Sequence, residues 1–297
     1  MEASIAKILN NVNTSEIYGS NDRSVEGLVI DSRLASPGTM FIATRGTVTD
    51  GHNFIENAVE KGAVAVVCED FPSEISENVI YIKVKDSSFA LGLIASNFYD
   101  NPSKKLKLIG ITGTNGKTTT ATLLYNLTRK LGYRAGLIST VKYYINEKEV
   151  DSTHTTPDSI SLNMLMKQMV DDHCDYCFME VSSHAIAQER ISGLHFEGGV
   201  FTNITHDHLD YHKTFENYIK TKKKFFDILP DTSFSLVNDD DKNGRIMIQN
   251  TASRKFTYSI HSASDFKCRI HESNFDGMLL NLEGKELWTK LIGKFNA

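Results

Sequence analysis

Two rhythms of apolar residues run along this chain. Short, nearly uninterrupted apolar runs predict buried strands, while apolar residues recurring every three or four positions predict helices. Gly27 to Ile30 and Thr39 to Ala43 read as short strands, Phe54 to Lys61 as a helix, Ala63 to Cys68 as a buried strand, and Ser87 to Tyr99 as a second helix. The stretch Asn101-Pro102-Ser103-Lys104-Lys105 then joins a helix-stopping proline to polar residues. A boundary is expected there, giving domains of residues 1–103 and 104–297. Beyond it, apolar runs at Leu106 to Thr112, Arg134 to Ser139, Tyr176 to Val181, Gly199 to Thr202 and Ser233 to Val237 alternate with helical segments. The pattern predicts an α/β protein: a small N-terminal α/β domain, then a mainly parallel sheet with helices on both faces.

Composition narrows the function. The chain has 297 residues, 40% of them hydrophobic, enough for two cores. Lys plus Arg number 32 against 37 Asp plus Glu, a net charge of -5, so no global attraction to nucleic acid or an anionic membrane is expected. Any anionic ligand must then be held by local groups. No segment approaches the roughly 18 consecutive apolar residues of a membrane span, and no leader-like pattern opens the chain, so a cytoplasmic protein is expected. Four cysteines (Cys68, Cys174, Cys177 and Cys268) fit a reducing compartment, and the lone CxxC at Cys174 and Cys177 has no second pair to complete a metal site.

The strongest local signal is Gly110-Ile-Thr-Gly-Thr-Asn-Gly-Lys-Thr-Thr119, between an apolar strand and the amphipathic run Ala121 to Leu131. Glycines there let backbone N–H groups turn toward phosphate oxygens, and the helix N-terminus adds partial positive charge. Gly113, Thr114, Asn115, Gly116, Lys117, Thr118 and Thr119 are the candidate nucleotide residues, with Lys117 on the outer phosphates and Thr118 on magnesium. The strict P-loop spacing is missed, since Ile111 stands where the first glycine would fall. ATP is preferred to GTP because no guanine-reading Asn-Lys-x-Asp segment follows.

Glu180 closes the run Tyr176 to Glu180 and should stand at the C-terminal end of a central strand, beside the phosphate loop. A carboxylate there repels polyphosphate unless magnesium intervenes. The next strand leads into His206, Asp207, His208, Asp210 and His212, a cluster expected to open on the same crevice as a metal site. Further on, Phe215, Tyr218, Ile219, Phe226 and Leu229 follow helical spacing, and Lys222 falls in the middle of that stripe while Lys220, Lys223 and Lys224 point elsewhere. A lysine on an apolar face must snorkel, find an anion or lose its proton. Once neutral, an amine can add carbon dioxide and become a carbamate.

Together these segments resemble the Mur ligases, and among them those that add the third residue of the peptidoglycan stem peptide. In the first domain the resemblance rests on Asp31-Ser-Arg33, Pro37-Gly38, Met40-Phe41, Gly46, Asp50-Gly51 and Gly62-Ala63. In the second it rests on Thr112 to Thr119, His154-Thr-Thr-Pro157, Glu180-Val-Ser-Ser-His184 with Gln188 and Arg190, Thr202-Asn203, and Asp207 to His212. The resemblance implies that Ile30, Ser32, Thr47, Val48 and Thr49 contact the uridine diphosphate part of a UDP-sugar, and that Thr155, Thr156, Ser182, Gln188 and Arg190 hold its diphosphate and sugar. It further implies a magnesium site at Thr118, Glu180, His208 and Lys222 as its carbamate, with Lys117, Glu180, His208 and Lys222 serving catalysis and Asn238 meeting the adenine.

The implied cofactors are ATP and Mg2+. The implied partners are UDP-N-acetylmuramoyl dipeptide and an amino acid, meso-diaminopimelate or L-lysine, with no nucleic acid, no membrane and a monomeric enzyme. Such a ligase passes ATP's terminal phosphoryl group to a carboxylate, and an amine then attacks the acyl phosphate. Leu291 to Ala297 resembles the start of the family's hinge into a third, amino-acid-binding domain. Without that domain, little or no turnover is expected. Two rivals remain: a folylpolyglutamate-synthetase-like ligase, against which Asp31-Ser-Arg33 argues, and a nucleotide- and UDP-sugar-binding module without turnover.

Overall fold

A computed structural model describes residues 1–20, 22–46, 49–151 and 155–293. These fall into two compact units.

The first unit comprises Met1–Lys105 together with two later segments, Pro157–Asp171 and Gln188–Leu194. A small ribbon of β1 (Ala3–Ser4) and β3 (Ser24–Val25) flanks the short helix α1 (Ile5–Ile8). The main sheet joins β2 (Thr14–Tyr18), β4 (Gly27–Val29), β5 (Thr39–Ile42), β6 (Ala65–Cys68) and β7 (Ile80–Val84) in the order β2-β7-β6-β5-β4. Strands β4 to β7 are parallel, and β2 is an antiparallel edge. Alternate residues feed two cores: Met40, Ile42, Val67 and Ile82 join one, Phe41, Val66, Cys68 and Tyr81 the other. That explains why these strands read as continuous apolar runs rather than as alternation. Helix α2 (Ile55–Glu60) covers the second core through Ile55 and Ala58; α3 (Ser87–Phe98), capped where the Asp86 carboxylate accepts from Phe89 N at 2.9 Å, covers the first.

The second unit is built on an eleven-stranded sheet. Its strands are β8 (Lys107–Thr112), β9 (Ala135–Ile138), β10 (Tyr143–Ile145), β11 (Lys148–Val150), β12 (Tyr176–Glu180), β13 (Gly198–Phe201), β14 (Phe234–Asn238), β15 (Arg254–Ser259), β16 (Phe266–Asn274), β17 (Gly277–Leu282) and β18 (Lys285–Thr289). The order is β11-β10-β9-β12-β8-β13-β14-β15-β16-β17-β18. From β9 to β16 neighbours are parallel, and antiparallel hairpins extend both ends. Helix α4 (Lys117–Lys130) buries Ala121 and Tyr125 against Ile109, Ile111, Leu137, Phe178 and Val200. The opposite face receives Phe225 of α8 (Phe215–Asp227), whose ring lies 2.5 Å from where a Cβ on Gly110 would stand and 2.9 Å from one on Gly199. Any larger residue at Gly110 or Gly199 would push α8 off the sheet.

Three short helices, α6 (Ser183–Ala187), α7 (Leu209–His212) and α9 (Gly244–Met247), complete this unit. Helix α5 (Ser159–Asp171) belongs instead to the first unit, where it packs on α3. The expected single boundary near residue 104 therefore needs amendment, because the chain returns to the first unit twice. The reason is an apolar helix face, Leu162, Leu165, Met166 and Met169, all buried. Among the described residues, no helix is long and apolar enough to cross a membrane.

Candidate functional site

Strand β8 stands between β12 and β13, so the chain crosses over to opposite sides of it. In open α/β sheets such a reversal leaves a crevice at the strands' C-terminal ends, where ligands bind. The Gly110–Thr119 loop emerges there. Gly116 precedes α4 at φ 84°, a left-handed conformation, and Lys117 opens the helix. Helical geometry starts four residues earlier than the apolar run at Ala121, because the first turn needs no buried side chains. A scaffold of side chains from the end of β13 holds the loop. Thr202 donates its hydroxyl to the Asn115 carbonyl at 2.6 Å, while the Asn203 amide accepts from Asn115 N at 3.0 Å and donates to Asn115 O at 3.1 Å.

Two lysines converge on this loop. Lys117 Nζ donates to the carbonyls of Gly113 at 3.0 Å and Thr114 at 2.8 Å, and Lys222 Nζ donates to that same Gly113 oxygen at 2.8 Å. Lys222 is 1% exposed and lies 4.8 Å from the Tyr218 ring centroid. Burial, and then the nearby Lys117 charge, hold its amine well below the usual lysine range; Asp207 opposes this. Burial also lowers Lys117, against the attraction of Glu180 and Asp207. The helical stripe places Lys222 inward, with Tyr218, Phe225, Phe226 and Leu229 buried beside it and Phe215 and Ile219 half-buried. Phe225 is a core residue the spacing argument missed. Lys223 instead pairs with Asp227 at 2.5 Å on the outer face.

Glu180 ends β12 directly opposite Ile111 of β8 and is fully buried. Its carboxylate accepts from Thr140 N at 2.8 Å and from the Thr140 hydroxyl at 3.2 Å. Sequence reading missed Thr140, which nothing but position after β9 could have signalled. The Thr155 hydroxyl lies 3.1 Å from that of Thr140 and donates to it, since Thr140 gives its one hydrogen to Glu180. The buried Thr156 donates to the Glu180 carbonyl at 2.9 Å and sits 3.3 Å from the Ser182 hydroxyl. Ser182 in turn accepts from Ala185 N and caps α6. Thr118 is half-buried in the first turn of α4, and Thr119 is exposed.

The histidine-rich loop is not one metal cluster. Among the described residues, no three His, Cys, Asp or Glu side chains converge as a metal-holding group. His206 stacks on Phe215 with centroids 4.4 Å apart, and His212 turns inward, 6% exposed, with Nε2 2.9 Å from the Ser183 hydroxyl. Burial, reinforced by His184 and His208, lowers the His212 pKa. His208 adopts a left-handed φ of 51° and lies edge-on to His184 at 4.9 Å, with Asp207 3.5 Å from its Nε2. His206 and His208 are both exposed, and His208 is the one set beside Asp207. Cys174 and Cys177 are both buried, and burial raises both thiols, which removes thiolate chemistry from the CxxC.

A cavity of about 560 Å³ runs beside α4, lined by Gly116, Thr119, Thr120, Leu123, Asn238 and Ile260 among others. Asn238 is partly committed: its amide donates to Thr202 O at 2.9 Å and accepts from Asp240 N at 3.0 Å, leaving one N–H and one lone pair for a ligand.

The other expected sugar-nucleotide residues lie in the first unit. Ile30 is exposed; Ser32 is buried at the start of a short 3-10 helix that Asp31 caps at 2.9 Å to Arg33 N. Thr49 O accepts from Gly46 N at 3.0 Å, closing a turn. Arg190 Nη2 donates to Gln188 Oε1 at 2.6 Å. Thr47, Val48, His154 and Lys294 to Ala297 lie outside the described residues.

The fold and loop define a P-loop nucleotide-binding unit joined to a second α/β unit. Comparison with known proteins specifies more: the Mur ligase middle domain model matches residues 111–297, and the Mur ligase family catalytic domain model matches residues 24–99. The chain belongs to the Mur ligase family. It is 57% identical over 293 residues to the UDP-N-acetylmuramoyl-L-alanyl-D-glutamate--2,6-diaminopimelate ligase of Bacteroides fragilis, covering 99% of this chain and 60% of that protein. It is 43% identical over 263 residues to the corresponding ligase 1 of Clostridium acetobutylicum, covering 89% and 54%. The chain thus spans about 60% of the length of the curated relatives. A solved structure of a ligase with that same name superposes at a TM-score of 0.83 and 25% identity, covering 100% of this chain and 61% of the other. The Thermotoga maritima MurF ligase in complex with ADP, at TM-score 0.57 and 18% identity over 92% of this chain and 60% of its own, shares the fold.

Proposed function

We propose that this chain supplies the ATP- and sugar-nucleotide-binding portion of a ligase that joins an amino acid to UDP-N-acetylmuramoyl-L-alanyl-D-glutamate, as the names of its relatives describe for them. Those names favour 2,6-diaminopimelate over lysine as the incoming amino acid. The observation that carries the reading is the convergence of Lys117, Lys222 and the end of β8 on one carbonyl, with Glu180 on the adjacent strand.

Carboxylates are poor electrophiles, so amide formation needs activation. ATP's terminal phosphorus accepts a substrate carboxylate oxygen as its bond to the bridging oxygen of ADP breaks. The amine then attacks the acyl carbon, phosphate leaves, and the amine's proton passes to solvent or base. Nothing in that sequence needs a protein nucleophile. Lys117 neutralises charge on the transferring group, and the loop N–H groups orient it. Thr118, Glu180 and His208, with Lys222 as a carbamate, would hold magnesium. A hydroxyl and carboxylate oxygens suit that hard cation, and when bound it offsets phosphate charge. The neutral amine is the form that adds carbon dioxide, and the burial and Lys117 charge that lower the Lys222 pKa favour that form, which supports the carbamate reading.

Uridine contacts through Ile30, Ser32 and Thr47 to Thr49, and sugar-diphosphate contacts through Thr155, Thr156, Ser182, Gln188 and Arg190, complete the assignment. The reaction is tested by phosphate release in the ligase carrying this chain, with ATP, UDP-muramoyl dipeptide and diaminopimelate supplied singly and together. Release that needs all three is expected. Equal release with ATP alone, or with a folate in place of the sugar nucleotide, would overturn it.

A further inference from the structure

The hydroxyl of Thr114 sits inside the phosphate loop, yet its hydrogen-bonding capacity is spent within the protein. Its oxygen accepts from Thr205 N at 3.0 Å, lies 3.4 Å from the Thr205 carbonyl, and lies 3.2 Å from the Tyr218 phenol. A threonine hydroxyl carries one hydrogen and two lone pairs. The Thr205 carbonyl can only accept, so Thr114 gives its hydrogen there. One lone pair takes the Thr205 N–H, and with the hydrogen on the Thr205 carbonyl the phenol is placed to donate into the other. In that arrangement every valence of the Thr114 hydroxyl is filled, with Tyr218 completing the set.

Tyr218 is also placed where several parts of the site meet. It is 1% exposed and lies on α8 one helical turn before Lys222, whose amine rests over its ring. Its ring also packs on His212 at 5.1 Å and on His208 at 6.2 Å. Burial keeps the phenol protonated, raising its pKa, so it remains a donor at neutral pH. The Thr114 backbone, meanwhile, accepts Lys117 through its carbonyl and donates its N–H to Asn203 O at 2.8 Å. Moving the Thr114 side chain would thus move the backbone that seats Lys117.

We propose that Tyr218 is a positioning residue for nucleotide binding: its hydroxyl latches Thr114 of the phosphate loop to helix α8, fixing the loop against the element that carries Lys222. The proposal rests on the loop's being a nucleotide site. Tyr218→Phe removes the latch and keeps the ring beneath Lys222.

Calorimetric titration of the chain with Mg·ADP is the test. Tyr218→Phe should weaken affinity about five- to tenfold, as expected for one hydrogen bond. Thr114→Val, which removes the same hydroxyl partner, should weaken it at least as much, and the double variant should be no weaker than Thr114→Val alone. Thr114→Ser, which keeps a hydroxyl, should restore sensitivity to Tyr218→Phe. A Tyr218 that served only the core would give losses that add in the double variant, and that result overturns the latch. Unchanged affinity in Tyr218→Phe while the unsubstituted chain binds Mg·ADP also overturns it. Failure of the unsubstituted chain to bind would instead overturn the nucleotide reading beneath it.

Discussion

Gly113 is where the geometry makes its sharpest demand. Its φ of 153° lies outside the range side chains favour, and a Cβ there would stand 1.9 Å from the Thr202 hydroxyl oxygen and 3.0 Å from the Asn203 carbonyl. Thr202 cannot simply rotate away, since it is buried and its hydroxyl donates to Asn115 O at 2.6 Å. Gly113→Ala must therefore break that bond, at a net cost of about 1 kcal/mol, and hold strained backbone, at about 1–3 kcal/mol. A loss of roughly 2–4 kcal/mol in unfolding free energy follows from these two terms, measured by urea denaturation. The two contributions can be separated. In a Thr202→Ala background the clashing oxygen is gone, so the added cost of Gly113→Ala should fall by about 1 kcal/mol while the backbone strain persists. Nucleotide affinity should fall with the loop's geometry in both backgrounds. A Gly113→Ala variant within about 0.5 kcal/mol of the parent, the scatter of ordinary surface substitutions, would refute the argument.

Lys222→Ala should reduce ligation-coupled phosphate release on the order of 10²-fold, with partial recovery in added acetate, whereas Lys223→Ala stays within about twofold because it loses only an exposed ion pair; equal losses for the two would sink the distinction. Under native conditions iodoacetamide should label Cys268 first by mass spectrometry, because Cys68 and Cys177 are fully buried and burial pushes the Cys68 thiol up to about 12; comparable labelling of Cys177 would contradict its placement. Asp31 is held at about 2 by its hydrogen bonds from Arg33. Because that carboxylate is depressed, whatever it contributes to stability is present above its ordinary pKa of 3.8 and is lost as pH falls through about 2. Side-chain carbon NMR should place its midpoint near 2, and Arg33→Ala should move it up; an unshifted midpoint in the variant would rule out the pairing.

What could be read from sequence divides along physical lines. Parallel strands β8, β9, β12 and β13 are buried on both faces, so each leaves an apolar run that needs no partner to be seen, while β14 is buried on one face and half-buried on the other. Lys222 was legible because helical periodicity places a side chain without reference to distant residues. Strand β16 alternates apolar and polar residues from Phe266 to His271, a strand-like signal the sequence reading overlooked, but its burial does not follow that alternation, and its register with β17 includes an irregularity between Ile270 and Glu272. That information lies in the pairing, not in either segment. Helix α5 was not singled out in the sequence, and the expected boundary placed its residues with the second unit, since an apolar face announces that it is buried but not against what. Strand β7, Ile-Tyr-Ile-Lys-Val, carries a strand-like signal that the sequence reading overlooked. The histidines show the limit most plainly: His206, His208 and His212 are equivalent in spacing arguments, and only tertiary packing sends one onto Phe215, one beside Asp207 and one to Ser183.

The shared Gly113 carbonyl gives the site its electrostatic logic. Two ammonium groups within hydrogen-bonding distance of one oxygen repel each other, and a neutral carbonyl offsets only part of that repulsion. One of them is favoured to give up its proton, and burial decides which. Lys222, at 1% exposure, loses nearly all hydration, whereas Lys117 is half-buried and attracted by Glu180 and Asp207. Both amines are lowered, Lys222 further than Lys117, so the arrangement favours the charge on Lys117 over that on Lys222. Converting Lys222 to a carbamate would reverse the sign of its interaction with Lys117, turning a repulsive neighbour into an anchoring one. The roles proposed for Lys117 and Lys222 would thus share an origin in how closely α8 packs, through Phe225, over Gly110 and Gly199, which is set by two missing side chains on the sheet.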